Sequence, residues 1–189
     1  MKILQIHNEY KIFGGEDTVV QTEKNLLLKQ NHSVIQLIRK NKDEINNFYD
    51  TCKILKNLHY SNKSIQILKE KINKNNLPDI VHIHNLFPLW TYSVLEFFKK
   101  NKIPIVMTLH NYRIIWGYFD ILDKRLVNYG YFKNSKIKTF IVSKLIDRKK
   151  KLLNYVDKFI TFSEFTKTEF LKSGLPNEKF VIKPNFLNN

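Results

Sequence analysis

Histidine and asparagine occur side by side at the ends of three short apolar segments of this 189-residue chain. The pairs are His7-Asn8, His84-Asn85 and His110-Asn111, and each follows a run of aliphatic residues. Such runs are typical of strands buried in a parallel sheet, and ligands of open α/β sheets bind beyond the carboxyl ends of the strands. We therefore expect three imidazoles at one edge of a sheet. There they could hydrogen-bond a ligand hydroxyl, act as acid or base, or bind a metal.

Hydrogen bonding to a polyhydroxylated ligand is the interpretation that we favour for these histidines. A lone histidine is more often a structural group, whereas three at one edge indicate a site. No H-E-x-x-H or comparable ligand spacing is present, and the single cysteine, Cys52, excludes a cysteine-based zinc cluster. No D-x-D sequence follows a predicted strand. We accordingly predict no metal site and no metal requirement.

Two further motifs could contact an anionic group. Gly14-Gly15 precedes Glu16 and Asp17 after the first predicted strand, so backbone N–H groups at a helix start could hold a phosphate. Alternatively, the glycines only supply the backbone freedom of a tight strand-to-helix turn, and this motif alone favours that interpretation. The G-x-G-x-x-G dinucleotide fingerprint is absent. Arg113 is a planar donor suited to a carboxylate or phosphate, and a surface salt bridge explains it equally well.

Alternating strands and helices must position these residues. Apolar periodicity predicts strands at residues 3–6, 33–38, 79–83, 105–109, 156–162 and 179–182. Helices are predicted at residues 16–31, 61–75, 89–100, 136–154 and 163–173, the last closed by Gly174. This order predicts an α/β fold: a Rossmann-like, doubly wound, mainly parallel sheet with helices on both faces. We expect one domain over residues 1–189.

The charge balance is strongly basic, with 32 Lys and Arg against 17 Asp and Glu, a net +15. Many basic residues fall in the predicted helix Lys136 to Asn154, which could lie on an anionic membrane surface. A core-packing helix with a solvated lysine face is the interpretation favoured for it. Nucleic acid is not expected, because no recognised binding motif is present and the charges are widely spread. We see no signal peptide and no run of about 20 apolar residues, the length of a membrane span.

Several of these motifs together resemble the amino-terminal domain of bacterial family 4 glycosyltransferases, which have the GT-B fold. The matching segments are His7-Asn8, Gly14-Gly15-Glu16-Asp17, Pro78 to Pro88, Thr108 to Arg113, and Lys183-Pro184-Asn185-Phe186. The match spans nearly the whole chain. In that family the amino-terminal domain mainly binds the acceptor, a second Rossmann-like domain binds the nucleotide-sugar donor, and transfer retains the anomeric configuration.

The resemblance implies roles for individual residues. His110 would be the catalytic histidine, hydrogen-bonding the donor sugar, and Gly14 and Gly15 would approach the donor diphosphate. Pro184 and Asn185 would form the interdomain hinge. The acceptor side would be lined by Glu16, Asp17, His84, Asn85, Asn111 and Arg113. No cofactor is implied, because the nucleotide sugar is a co-substrate.

The donor-binding domain is not within these 189 residues, so we expect little or no transferase activity from this chain alone. A partner chain could supply that domain. The cysteine-containing insertion that many relatives carry after Arg113 is also missing. The predicted function is the acceptor-side domain of a retaining, sugar-nucleotide-dependent glycosyltransferase of bacterial surface-glycan or polysaccharide biosynthesis. It would act in the cytoplasm, or at the inner face of the membrane on a glycan or lipid-linked acceptor. The alternative is a non-catalytic carbohydrate-binding or partner-docking module.

Overall fold

The described part of the chain contains a six-stranded parallel sheet with helices. The computed structural model describes residues 1–50, 57, 60–72, 76–112 and 153–185. The strands are β1 (Lys2–Glu9), β2 (Ser33–Lys40), β3 (Ile80–Ile83), β4 (Ile105–Thr108), β5 (Lys158–Thr161) and β6 (Phe180–Ile182). They are hydrogen-bonded in the order β2-β1-β3-β4-β5-β6, every pair parallel. The predicted Rossmann-like α/β fold is confirmed.

Helices connect these strands. They are α1 (Gly15–Lys29), α2 (Asn41–Glu44), α3 (Asn62–Lys71), α4 (Ser93–Lys100) and α5 (Glu164–Lys172). The Ser61 hydroxyl accepts a hydrogen bond of 3.2 Å from Ser64 N and so caps the start of α3. After α5, Gly174 has a φ of 83°, the left-handed conformation that a helix-closing glycine favours.

The predicted boundaries differ from the structure by up to four residues, and three elements illustrate this. The helix predicted to begin at Leu89 begins at Ser93, because Thr91 has a φ of 58° and the preceding residues turn back onto β1. There Leu89 N donates to Asn8 Oδ1 at 3.0 Å. Strand β1 extends to Glu9, so His7-Asn8 lies within it rather than after it. Residue 179, predicted to open the last strand, ends a 3₁₀ turn (Asn177–Lys179) that precedes β6.

The main hydrophobic cluster lies on one face of the sheet. Leu4 and Ile6 of β1 and Val81 and Ile83 of β3 are all almost completely buried, as expected for central parallel strands. Large side chains pack around them, and the biggest buried ones are Trp90, Phe98 and Phe170 from loops and helices and Phe159 from β5. Burying each such side chain stabilises the fold by roughly 1.5–3 kcal/mol. The rigid sheet therefore holds the ends of β1, β3 and β4 in fixed positions.

The strand order places a topological switch point between β1 and β3. The chain steps from β1 outward to β2 on one side, and β3 then starts the other half of the sheet. Crevices outside the carboxyl ends of strands at such points are the usual ligand sites of open α/β sheets. Residues His7 and His84 lie at this position.

The predicted basic helix Lys136 to Asn154 lies outside the described residues except for its last two. Leu153 is buried and belongs to the core, and Asn154 is exposed. Among the residues that the structure describes, no helix combines the length and apolar character needed to cross a bilayer.

Candidate functional site

Four histidines meet at the carboxyl edge of the sheet, and we call His7, His82, His84 and His110 the histidine cluster. The rings of His82 and His84 are stacked at a tilt, with centroids 4.1 Å apart. His84 Nδ1 lies 3.1 Å from His110 Nε2, within hydrogen-bond distance. The His7 ring is edge-on to that of His84 with a centroid separation of 6.2 Å. The structure thus brings together the three histidines that the sequence placed at strand ends.

Asp17 ties the cluster to the glycine loop. Its Oδ1 lies 2.7 Å from His7 Nε2, and its Oδ2 accepts a hydrogen bond of 2.7 Å from Gly14 N. Asp17 is the third residue of α1, so its carboxylate reaches back over the helix start as in a capping box. It is 2% exposed. We predicted Asp17 as an acceptor-side residue, and its observed contacts position His7 and the loop.

Neither glycine of the pair adopts a backbone conformation that only glycine favours. Gly14 has a φ of −137° and a ψ of −174°, extended backbone that any residue adopts, and Gly15 starts α1 without a positive φ. The interpretation that the turn needs glycine for backbone freedom is therefore wrong. A Cβ at Gly15 would meet no atom within 4 Å. The missing side chain leaves open space over the first N–H groups of α1, which have no partner inside the helix.

Glu23 and Lys183 complete the cluster from opposite ends of the chain. Glu23 lies in α1, and its Oε2 is 3.4 Å from both His82 Nδ1 and His84 Nε2. Its Oε1 contacts the ammonium group of Lys183, the residue that follows β6. Burial raises the pKa of Glu23, and the Lys183 contact opposes that rise. Lys183 therefore favours the ionised carboxylate inside a mostly apolar environment.

Burial keeps the central histidines neutral. It lowers the pKa of His82 and of His110 to about 3, with nearby cationic groups adding to the effect. The pKa of His84 is also well below its usual value, first through burial and then through its histidine neighbours. A neutral imidazole has one N–H donor and one acceptor nitrogen. These rings can therefore hydrogen-bond a sugar hydroxyl at neutral pH without presenting a positive charge.

Three of these side chains could also hold a metal ion. Glu23, His82 and His84 each offer one ligand atom, and these atoms lie within 4.8 Å of one another. The remaining nitrogen of His82 is 2.7 Å from Thr108 Oγ1, the kind of second contact that orients a metal-binding histidine. Against a divalent ion, Lys183 already places a positive charge on the same carboxylate. We therefore keep the prediction that the site works without a metal.

The open side of the site is formed by the residues around the glycine loop. Gly14 and Gly15 are exposed, and His110 and Asn111 are partly exposed. Asn111 Nδ2 donates to Glu16 Oε1 at 2.7 Å, which joins the end of β4 to the start of α1. The structure therefore brings Glu16 and Asn111 together at the rim, next to the histidine cluster.

Unpaired polar atoms concentrate at the same place. In the described part of the chain, five buried side-chain atoms have no hydrogen-bond partner, and His7 Nδ1, His84 Nε2 and Glu16 Oε2 are three of them. Buried polar groups of native proteins are nearly always paired, so each exception calls for an explanation. A polar ligand or water at the rim would explain Glu16 Oε2. His84 Nε2 has no hydrogen bond, but it lies 3.4 Å from Glu23 Oε2 and interacts with that carboxylate electrostatically.

The other predicted site residues are placed differently. The Asn85 side chain donates to Asn8 O at 3.1 Å and to Tyr10 Oη at 2.7 Å, so it holds its own loop together. Pro184 and Asn185 are exposed and follow β6, and their role as a hinge stays a prediction. Arg113 lies outside the described residues.

Three residues of the site were not among the predicted site residues: the buried Glu23 and His82 and the half-buried Lys183. The signal for His82 was available, because residues two apart on a strand share a face and His84 was already a candidate. Glu23 occupies the buried side of α1 with Val20, three residues earlier, where an acidic residue is rare without a partner. Nothing in the sequence joins Glu23 to Lys183, 160 positions away.

The site and the fold agree with a family assignment. A profile described as Glycosyltransferase Family 4 matches residues 13–188, and the chain therefore belongs to this family. It accordingly carries a glycosyltransferase-type domain. No curated protein sequence matches the chain.

Three solved structures are similar to this chain, and the first of them supports the fold assignment. UDP-GlcNAc 2-epimerase from Methanocaldococcus jannaschii matches over 96% of this chain and 45% of its own, with 14% identity and a TM-score of 0.51. UDP-GlcNAc 2-epimerase from Neisseria meningitidis, bound to UDP-GlcNAc, matches over 98% of this chain and 46% of its own, with 13% identity and a TM-score of 0.49. The apo form of the lipopolysaccharide outer core galactosyltransferase WaaB matches over 96% of this chain and 45% of its own, with 16% identity and a TM-score of 0.44. The chain spans about half the length of these proteins. At such identities the likeness concerns the fold alone.

Proposed function

We propose that this chain is the acceptor-side domain of a retaining, sugar-nucleotide-dependent glycosyltransferase. One observation carries the proposal: His7 of β1 and the neutral His84 and His110, which follow β3 and β4, converge beside an open glycine loop at the β1/β3 switch point. Neutral imidazoles suit hydroxyl groups, and free N–H groups at a helix start suit a phosphate. A nucleotide sugar carries both kinds of group. Membership of Glycosyltransferase Family 4 supports the same chemistry.

The roles of individual residues follow from their positions. His110 is the proposed catalytic residue, because it is the member of the cluster that is partly exposed next to Asn111 at the rim. Gly14 and Gly15 would approach the donor diphosphate, since the space over Gly15 is open. Glu16 and Asn111 would face the acceptor, and the unpaired Glu16 Oε2 is available to accept a hydrogen bond from its hydroxyl.

The same geometry limits what this domain can do alone. A departing nucleoside diphosphate needs preorganised positive charge or donors, and such electrostatic stabilisation is usually the largest contribution to catalysis. His82, His84 and His110 are held neutral by burial, and Lys183 is engaged with Glu23. The charge stabilisation would therefore come from a second, donor-binding domain. We propose that turnover requires such a domain, on this chain or on a partner.

The proposal includes a place in the cell. Nucleotide sugars as donors and bacterial surface glycans as products put the reaction in the cytoplasm, with a glycan or lipid-linked acceptor. The net charge of +15 favours contact with an anionic surface such as the inner face of the membrane. Flotation with anionic and with neutral vesicles tests the membrane contact. Equal recovery of the protein with both kinds of vesicle would contradict binding to an anionic membrane surface.

The experiment that tests the function is complementation. The chain is joined to, or mixed with, a donor-binding domain of Glycosyltransferase Family 4, and a panel of sugar nucleotides is screened for release of nucleoside diphosphate with and without acceptors. We expect release from at least one donor that depends on both domains. Sugar transfer that retains the anomeric configuration, read by NMR of the product, supports the proposed reaction. Binding of glycans without turnover for any donor would favour a carbohydrate-binding module instead.

A further inference from the structure

We propose that Glu23 is a positioning residue for His110: acting through His84, it fixes the His110 tautomer so that Nδ1 is a hydrogen-bond acceptor. Glu23 lies on the buried side of α1, away from the rim, and does not itself contact His110 in a hydrogen bond. The inference deepens the proposed function, on which its catalytic meaning rests. The tautomer itself can be measured whether or not the function is right.

Three groups form a chain from the carboxylate to the rim. Glu23 Oε2 lies 3.4 Å from His84 Nε2, and the opposite nitrogen of His84, Nδ1, lies 3.1 Å from His110 Nε2. The 3.4 Å separation exceeds the usual range of about 2.7–3.2 Å for an N–H···O hydrogen bond, so Glu23 acts on His84 through its charge. The His84 side chain is completely buried, where such electrostatic effects are strong.

The charge of Glu23 decides which nitrogen of His84 carries hydrogen. A lone pair on Nε2 facing a carboxylate oxygen would be repelled, whereas an N–H facing it is attracted. His84 is therefore protonated on Nε2, and its Nδ1 is an acceptor. The contact with His110 then requires an N–H on His110 Nε2. Because neutral His110 has only one N–H, its Nδ1 carries a lone pair.

Lys183 helps to keep Glu23 ionised, which this hydrogen-bond direction requires. Its ammonium group contacts the other oxygen of Glu23, which stabilises the carboxylate that burial would otherwise tend to protonate. His82 follows the same logic, because its Nδ1 is also 3.4 Å from Glu23 Oε2 while its Nε2 lies 2.7 Å from Thr108 Oγ1. The threonine hydroxyl can donate to that nitrogen, so both histidines can direct an N–H toward Glu23.

The consequence concerns ligand selection at the rim. With Nδ1 as an acceptor, His110 can take a hydrogen bond from a hydroxyl group but cannot donate one from Nδ1 to a carbonyl or phosphate oxygen. The ligand group at this point is therefore a sugar hydroxyl that donates its hydrogen. If the hydrogen bond between His84 and His110 ran in the opposite direction, His110 Nδ1 would be a donor and such a hydroxyl would face an N–H.

The test is ¹⁵N NMR of the histidine side chains in the full 189-residue chain, wild type and Glu23→Gln, at pH 7.5. Two-bond ¹⁵N–¹H correlations identify which ring nitrogen carries hydrogen. In the variant, the carbonyl oxygen of the substituted side chain is expected to face Lys183, which leaves the amide N–H₂ facing His84 Nε2. His84 should then take its hydrogen on Nδ1, and His110 should change from the Nε2–H to the Nδ1–H form. Glu169→Gln is the matched control, because Glu169 also pairs with a lysine, Lys172, and lies far along the sequence in α5.

The outcomes separate cleanly. His110 as Nε2–H in the wild type, changed in Glu23→Gln and unchanged in Glu169→Gln, supports the proposal. Nδ1–H in the wild type, or an unchanged tautomer in folded Glu23→Gln, overturns it. If Glu23→Gln does not fold, both rings of the wild type decide: Nε2–H on His84 together with Nε2–H on His110 supports the proposal, and Nδ1–H on either ring overturns it. If the tautomer behaves as expected but His110 variants of the complemented enzyme turn over normally, the positioning stands and the proposed function fails.

Discussion

His7 Nε2 lies 2.7 Å from Asp17 Oδ1, and this contact joins the carboxyl end of β1 to the first turn of α1. The other oxygen of Asp17 accepts from Gly14 N, so one buried carboxylate fixes both an imidazole and the glycine loop. The open loop and the histidine cluster are therefore parts of one rigid site.

Replacing Asp17 should loosen this joint. Asp17→Ala removes both carboxylate oxygens, which leaves Gly14 N and His7 Nε2 without their partner. Leaving a buried polar group unpaired costs about 1–3 kcal/mol, so we expect the free energy of unfolding in urea to fall by at least that amount. The control Asp43→Ala removes the same side chain from an exposed position on α2 and should change the free energy of unfolding by less than about 0.5 kcal/mol. Equal changes in the free energy of unfolding for the two variants would contradict the role of Asp17 in holding His7 and the glycine loop together.

Acidification should destabilise the protein through the histidine cluster. The pKa of His82 is about 3 in the folded state and about 6.5 in the unfolded chain, so below pH 6.5 the unfolded state binds a proton that the folded state does not. Above pH 6.5 His82 is neutral in both states and costs the folded state no stability. As the pH falls from 6.5 toward 3, the free energy of unfolding decreases. Between pH 7 and 5 this one residue should cost about 2 kcal/mol, at roughly 1.4 kcal/mol per pH unit below 6.5.

Urea unfolding at pH 7, 6 and 5 measures this loss. His82→Gln should flatten the pH dependence, whereas His32→Gln, which removes a histidine from the turn between α1 and β2, should not. Glu23 offsets part of the loss at the acidic end, because its raised pKa lets the folded state take up a proton there. A stability that does not depend on pH between 7 and 5 would contradict the buried, neutral histidines.

Gly15→Ala should separate folding from function. Because a Cβ at this helical position meets no atom within 4 Å, the variant should be as stable as the wild type or more stable by about 0.4–1 kcal/mol. A methyl group over the helix start should nevertheless weaken donor binding in the complemented enzyme by at least about tenfold. Gly174→Ala is the contrasting control, since a φ of 83° makes it destabilising. If Gly15→Ala bound the donor as tightly as the wild type, the glycine loop would not be part of the donor site.

Metal ions should have no effect on the cluster. Lys183 already contacts Glu23, so we expect neither EDTA nor a few equivalents of Zn²⁺ to change the thermal midpoint of unfolding at pH 7.5. A Zn²⁺-dependent rise that disappears in Glu23→Gln and in His82→Gln would contradict this and assign a metal to Glu23, His82 and His84.

The sequence was sufficient for the sheet and for three of the four histidines. Aliphatic runs followed by His-Asn predicted both the strands and the shared edge, because parallel strands leave their carboxyl ends together. The boundary of α4 was wrong, since tertiary contacts of Leu89 and Trp90 with β1 override a local helical pattern. The purpose of Gly14 and Gly15 was also misjudged: neither has a positive φ, so the turn does not depend on the backbone freedom of glycine.

The Glu23–Lys183 pair could not have been predicted. Its two residues are joined only when β6 docks at the far side of the sheet and α1 packs over the strand ends. Long-range ion pairs leave no periodic signal in a single sequence, and an acidic residue in an amphipathic helix is ordinarily assigned to the exposed face. The part of the site that sets hydrogen-bond direction was therefore visible only in three dimensions.

The most direct test of the account is the turnover of the complemented enzyme with His110→Ala. We predict that kcat falls by about 100- to 1,000-fold, the usual range for removing one group that contacts the reacting centre, while His32→Ala stays within about twofold of the wild type. A His110→Ala enzyme that is folded and retains wild-type turnover would contradict the assignment of this edge of the sheet as the sugar-transfer site.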